Sequence, residues 1–184
     1  MCLERYIVEQ CAPTLASIKT GALFGVIDPD TEELLRQAEH WRERLAGKGL
    51  ALRVLRCRPG RALIYLGRLS QLERDLASSG AAELLERCGY ASHGCVEALE
   101  TLRRRVLSSE SFPHEIGLFL GYPLPDVLGY IQNRGKNSKL CGAWQVYGDA
   151  AAAERSFRRF RKCSELYKRR YNGGESLMQL TVSA

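Results

Sequence analysis

FPHEIGLFLGYPLPDVLGYIQNRGKNSKLCGAWQVYG, residues 112–148, is the most densely punctuated stretch of the 184-residue chain. Gly117, Gly121 and Gly135 stand at its corners, and Pro113, Pro123 and Pro125 lie among them with His114 and Trp144. Residues 115–120 read as a buried strand, and Gly121-Tyr122-Pro123 as a turn. Pro125 opens a helix to about residue 134, a position proline favours, with Val127, Leu128 and Ile131 inward. Gly135-Lys136-Asn137 makes a second turn, with Gly135 at positive φ, and 140–148 reads as a strand.

Upstream of this stretch, residues 3–11 read as a short helix with Leu3, Ile7 and Cys11 at i, i+4 spacing. Pro13 either stops that helix or opens another; in the second case Cys11 lies just outside a helix N-terminus. A strand over 22–27 leads to an amphipathic helix over 31–46, capped by Asp28, Asp30 or Thr31 and closed by Gly47. Alternation in 50–57, a turn at Arg58-Pro59-Gly60 and a return over 62–67 predict a hairpin. Helices follow at 69–79, 81–88 and 93–108. Downstream, Ala153, Phe157, Phe160, Ser164, Tyr167 and Tyr171 form an inward stripe on a helix over 150–172, and 175–182 reads as a closing strand. The expectation is a single domain over 1–184 of α/β or α+β class, a mixed sheet with helices packed on it.

Composition narrows the setting. The chain is 45% apolar and 26% charged, with a formal net charge of +6, as in ordinary globular proteins. Glu4, Arg5 and Glu9 stand where a signal peptide would need an apolar run, and no stretch approaches a membrane span, so no membrane partner and a cytoplasmic location are expected. The seven cysteines have no framework spacing and are expected to be free thiols in a reducing compartment. Cys88, His93 and Cys95 bring three potential metal ligands within eight residues, but without the spacing of an established zinc site; a helix–helix corner with buried thiols is the plainer reading, and no metal is expected.

PHEIGLFLGYP (113–123), the NRGKN turn and CGAWQVYGD together resemble a bacterial family of small proteins labelled only as a domain of unknown function. The similarity runs from CAPTLASIKTGALF to the final LTV and implies a bacterial cytosolic protein of the same fold, without an assigned activity. It also suggests a link to iron and redox metabolism. HEIGLFLG further resembles the histidine strand of NlpC/P60-type cysteine hydrolases, with one extra residue after the histidine, which turns the imidazole to the opposite strand face.

Three functional readings follow. A Cys/His-dependent hydrolase or acyltransferase would use Cys11 as a nucleophile at a helix start and His114 as the base, with Glu115 beside it. Against this, Cys11 continues the Leu3–Ile7 stripe, and His114 next to Pro113 can simply cap a turn. An anion or nucleic-acid binding module would use the helix over 150–172. It carries eight basic residues, among them Arg158, Arg161 and Lys162, against Glu154 and Glu165, leaving nineteen of each sign elsewhere. Arg103, Arg104 and Arg105 would extend that patch if they lay nearby, although a solvated arginine face serves solubility alone. The third reading is a small cofactor or metal binder. Tyr122 and Asp126 would line a pocket beside His114, though Pro125 as a helix starter already explains that run. NRGKNSK follows a helix and precedes a strand, the reverse of a phosphate cradle, and no P-loop or dinucleotide fingerprint occurs. No cofactor, substrate or oligomeric state can be read from these residues.

Overall fold

A computed structural model describes residues 2–91, 94–108 and 111–183. The chain opens with α1 (Leu3–Leu15), β1 (Gly21–Ile27), α2 (Thr31–Ala46), β2 (Leu50–Arg58) and β3 (Arg61–Arg68). Helices α3 (Leu69–Ala77), α4 (Ser79–Arg87), α5 (Cys95–Ser108), α6 (Ile116–Phe119) and α7 (Leu124–Asn133) follow. The short β4 (Leu140–Cys141) and β5 (Gln145–Val146) precede α8 (Ala150–Asn172) and α9 (Leu177–Leu180).

The three long strands lie in the order β1-β3-β2, and both pairings are antiparallel. The β2–β3 hairpin therefore places β3 in the gap left by the β1-α2-β2 crossover, a split βαβ arrangement. The sheet is antiparallel throughout rather than mixed, because its outer strands never pair with each other.

Side chains alternate along β3 and divide the core into two layers. Ala62, Ile64 and Leu66 face α1, α2, α9 and the Tyr167 turn of α8. Leu63 and Tyr65 face the opposite layer, built from α3 to α7. A sheet covered on both faces needs apolar residues at nearly every position, and six of the eight positions in β3 are buried. Tyr65 lies fully buried with its hydroxyl donating to the Phe119 carbonyl at 2.8 Å. Its ring runs over Gly21 and Gly67, which are register partners on β1 and β3; a Cβ at either would collide with it.

Five sequence expectations change. Residues 115–120 form the helical turn α6, not a strand, closed by short-range bonds such as Leu118 N–H to Glu115 O (3.0 Å) and Leu120 N–H to Ile116 O (3.1 Å). The strand over 140–148 reduces to the two-residue β4 and β5, and 175–182 contains α9, opened by a Ser176–Gln179 capping box. Pro13 sits inside α1 and opens no second helix, so Cys11 lies in the helix interior. The stripe on α8 is only partly buried: Ala153 and Tyr167 are inside, while Phe157, Phe160, Ser164 and Tyr171 are half-covered. No helix among the described residues is long and apolar enough to cross a membrane.

One buried cation joins the layers. Arg68, 1% exposed, has no carboxylate partner among the described residues. Its Nε donates to Thr14 O (2.7 Å), and Nη2 donates to Leu15 O (2.6 Å) and Val182 O (2.8 Å). Thr14 and Leu15 end α1, where carbonyls outside the helical ladder carry the negative end of the helix dipole. Burial lowers the pKa of Arg68. Replacing it with methionine keeps the volume but removes the bonds to all three carbonyls and leaves Val182 O without the guanidinium, and we expect a loss of about 3 kcal/mol or more in urea unfolding. Loss under about 0.5 kcal/mol, the range of ordinary surface changes, would refute this role.

Candidate functional site

The segment joining α1 to β1, residues 16–20, presents Lys19 and is pinned from several sides. Ser17 adopts a left-handed φ of 61°. Gln71 of α3 donates to Ser17 O (3.1 Å) and Oγ (2.9 Å), and Thr20 Oγ1 donates to Asp75 Oδ2 at 2.5 Å. Gly121, at φ 72°, comes so close that a Cβ there would strike Thr20. The Lys19 ammonium donates to the Gly21 carbonyl and lies 5.3 Å from the centroid of the Tyr122 ring.

Asp126 organises the facing wall. It stands in the first turn of α7, where a carboxylate complements the helix dipole, and is 3% exposed. Oδ1 accepts from Tyr147 N–H (2.8 Å) and Gly148 N–H (2.7 Å), while Oδ2 accepts from Trp144 Nε1 (2.7 Å). These bonds hold the connection between β5 and α8 against α7. They also fix Trp144, whose ring stacks on Tyr122 at 5.0 Å and meets the edge of Phe157 at 4.5 Å.

Two cavities adjoin Asp126 and Trp144. The first, about 630 Å³, lies among residues 17–20, the start of α7 and the first turns of α8, and is lined by Lys19, Gln71, Asp149, Ser156, Arg159 and Phe160 among others. The second, about 270 Å³, is more aromatic and is lined by Phe112, His114, Tyr122, Tyr130 and Trp144. The His114 and Tyr130 rings are 5.0 Å apart.

The sequence candidates distribute unevenly over this geometry. His114, Tyr122 and Asp126 line one cavity, and His114 is exposed at the turn before α6 rather than on a strand. Cys11 does not join them. It is buried in the α1 layer among Ile7, Leu15 and their neighbours, across the sheet from the layer that His114 borders. Burial pushes its thiol far up, only partly offset by Lys19, so Cys11 is packing rather than a thiolate paired with His114. Glu115 is buried and engaged: Arg105 Nε donates to it at 2.6 Å and Tyr90 Oη at 3.0 Å. It holds α5 to the turn before α6 and touches neither cavity lining.

Arg158, Arg161 and Lys162 are exposed on α8, the first two beside a groove at Cys141 and Gly142. Arg103, Arg104 and Arg105 belong to α5, packed on the opposite sheet face from α8, so they do not extend its basic surface. His93 lies outside the described residues. Cys95 donates its backbone N–H to Glu73 (2.9 Å), and burial pushes its thiol up to about 12; burial raises Cys88 as well. Among the described residues no group of three or more His, Cys, Asp or Glu side chains could hold a metal.

A family model described as a protein of unknown function, DUF3793, matches residues 7–181. The chain belongs to that family. No curated protein and no solved structure matches it. The family carries no activity to transfer, so chemistry must come from the cavities themselves.

Lys19 is the side chain that sequence reading passed over. Burial pulls its ammonium down to about 8, with a partial upward push from Cys11. It forms no ion pair among the described residues, and neither does Arg159, whose Nη2 reaches Ile18 O at 3.4 Å. The carboxylates nearby are engaged elsewhere: Asp126 as above, Asp149 in capping Ala152 N–H at 2.9 Å, and Asp75 in accepting from Thr20.

Two measurements test this arrangement. Asp126→Asn turns an amide donor toward either Trp144 Nε1 or the two backbone N–H groups. In a Trp41→Phe background, Trp144 emission should shift to the red and quench more readily by acrylamide, with a stability loss of about 1–3 kcal/mol. Unchanged emission and stability would remove Asp126 from its organising role. The Lys19 shift sets the second. Between about 8 and the ordinary lysine value of 10.5, the folded chain has released this proton and the unfolded chain retains it, so this group makes stability rise with pH. The buried thiols act in the opposite sense above about 9. The urea midpoint of the native protein relative to Lys19→Met should therefore climb from about pH 8 to pH 10; a flat difference would contradict the shift.

Proposed function

We propose that the protein binds a small ligand bearing a negatively charged group in the cavity between residues 17–20 and the first turns of α8. The observation that carries this reading is the pair of cations, Lys19 and Arg159, on one cavity without carboxylate partners among the described residues. A half-buried ammonium at a low-dielectric wall is costly when unpaired, and an incoming anion offsets that cost. The cavity's volume lies within the range of small-molecule sites, and the Trp144, Phe160 and Pro123 walls supply apolar contact around the charges.

Among the three readings, this one is the anion-binding module, drawn to a cavity at the start of α8 instead of its outer face. The hydrolase reading loses support because Cys11 and His114 border different core layers. The nucleic-acid reading would spread over the exposed Arg158, Arg161, Lys162 and Arg169.

Trp144 lines the cavity and reports occupancy, so binding can be followed by its fluorescence in the Trp41→Phe background. Sulfate and pyrophosphate serve as probes. Lys19→Gln and Arg159→Gln should each weaken binding by about tenfold, while Arg161→Gln and Lys162→Gln should change it less than about twofold. Sulfate keeps its charge across neutral pH, so its affinity should fall as pH rises through about 8, where Lys19 loses its proton. Equal losses for all four substitutions would replace the cavity with diffuse attraction along α8, and no binding of either probe would end the reading.

A further inference from the structure

The surroundings of Lys19 point past simple charge pairing. We propose that Lys19 is a covalent acceptor for carbonyl compounds, its amine condensing with an aldehyde or ketone whose anionic group is held by Arg159. The proposal rests on the anion-binding reading and names the class of compound that site would take.

The geometry supports three requirements of that chemistry. The first is an amine free of ion pairing. Lys19 Nζ donates to the Gly21 carbonyl and stands over the Tyr122 ring, while Asp75, Asp126 and Asp149 are each engaged with other donors. A neutral amine keeps the bond to Gly21, which leaves its lone pair available and its position fixed. The second is room beside it, and the cavity of about 630 Å³ holds a small carbonyl compound with space to spare. The third is a second contact to orient the substrate. Arg159 reaches Ile18 O, the residue next to Lys19, and Ser156 lies one turn earlier on the same cavity wall. A carboxylate or phosphate bound there places an adjacent carbonyl carbon toward Nζ, converting a bimolecular encounter into a positioned one.

Burial adds reactivity. With its ammonium drawn down to about 8, roughly a tenth of Lys19 is neutral at pH 7, against well under a thousandth of an ordinary lysine. The groups facing it across the packed elements are Cys11 on α1, Tyr122 before α7, Asp126 on α7, Asp149 and Arg159 at α8, and Asp75 through Thr20. Burial keeps Cys11 and Tyr122 protonated near neutrality.

The step balances without an oxidant or reductant. The nitrogen lone pair forms a C–N bond to the carbonyl carbon, and a proton passes from nitrogen to the former carbonyl oxygen through solvent in the open cavity. The carbinolamine hydroxyl then takes a proton from solvent, the nitrogen lone pair forms the C=N bond as the C–O bond breaks and water leaves, and the nitrogen returns its second proton to solvent, leaving the neutral imine on Nζ.

Glyoxylate with cyanoborohydride tests this directly, because reduction traps the imine as a stable carboxymethyl group that peptide mass mapping assigns to one lysine. At pH 7, glyoxylate should label Lys19 about tenfold or more faster than Lys136 and Lys139, sulfate should protect it, and uncharged propionaldehyde, which lacks the group held by Arg159, should show a clearly smaller preference for Lys19. Lys19→Arg should retain sulfate binding and abolish the preferential label, which separates charge from nucleophilicity. If sulfate binds as expected but Lys19 labels at the rate of Lys136, the covalent proposal fails and the anion site stands. If sulfate does not bind and no lysine is preferred, both fall. Equal preference for Lys19 by the two aldehydes, or labelling by glyoxylate without sulfate protection, would also overturn the proposal, since the anionic group would then play no part.

Discussion

Arg68 sets the frame on which the rest of the chain is arranged. A guanidinium inside a protein normally meets a carboxylate, and desolvating one without such a partner is expensive. Here the compensation comes from backbone: the last carbonyls of α1 and the carbonyl of Val182 surround the fork. The end of a helix offers several oriented dipoles at no conformational cost once the helix exists. In exchange, the last turn of α1, the end of β3 and the terminal segment after α9 meet at one side chain. Nη1 of Arg68 and Oγ1 of Thr14 are the two buried side-chain atoms without partners among the described residues, so the same junction holds the least satisfied part of the interior.

That junction lies directly upstream of the cavity. α1 ends at Leu15, and the residues presenting Lys19 begin immediately after it, continuing into β1 through the Arg68 N–H to Thr20 O bond of 2.8 Å. The opposite wall depends on a second buried charge with backbone partners, Asp126, which is anionic where Arg68 is cationic. Two ions solvated by peptide groups thus hold the two sides of one opening. Neither is paired with an opposite charge among the described residues, and Lys19 and Arg159 stand likewise without a carboxylate partner.

Much of the architecture could be read from residues alone where periodicity was long. The helices over 31–46 and 150–172 have those bounds in the structure, and the 50–67 hairpin is present, because many apolar positions vote for one period. Short apolar runs failed. GLFLG suits a strand or a buried helical turn equally; in the fold it is a turn that starts with Ile116 N–H on Pro113 O and packs so closely that a Cβ at Gly117 would strike Val127. In 175–182 the Ser176-x-x-Gln179 pattern was a legible helix signal that the apolar alternation of the segment obscured. At the site, His114, Tyr122 and Asp126 were within reach of inference because they are close in sequence. Lys19 was not, since its burial comes from Tyr122 and Gly121, about a hundred residues away, and from α8 beyond them. The i, i+4 stripe through Leu3, Ile7 and Cys11 already placed that sulfur inside.

Tyr65 ties the sheet to this opening in another way. Its ring crosses two glycines and its hydroxyl ends on the Phe119 carbonyl, two residues before the corner that abuts Thr20. The separation between β3 and that corner is consequently gauged by the length of a single phenol. Substitutions far from either cavity that tilt or lift this ring would alter the width of the opening without touching anything that lines it.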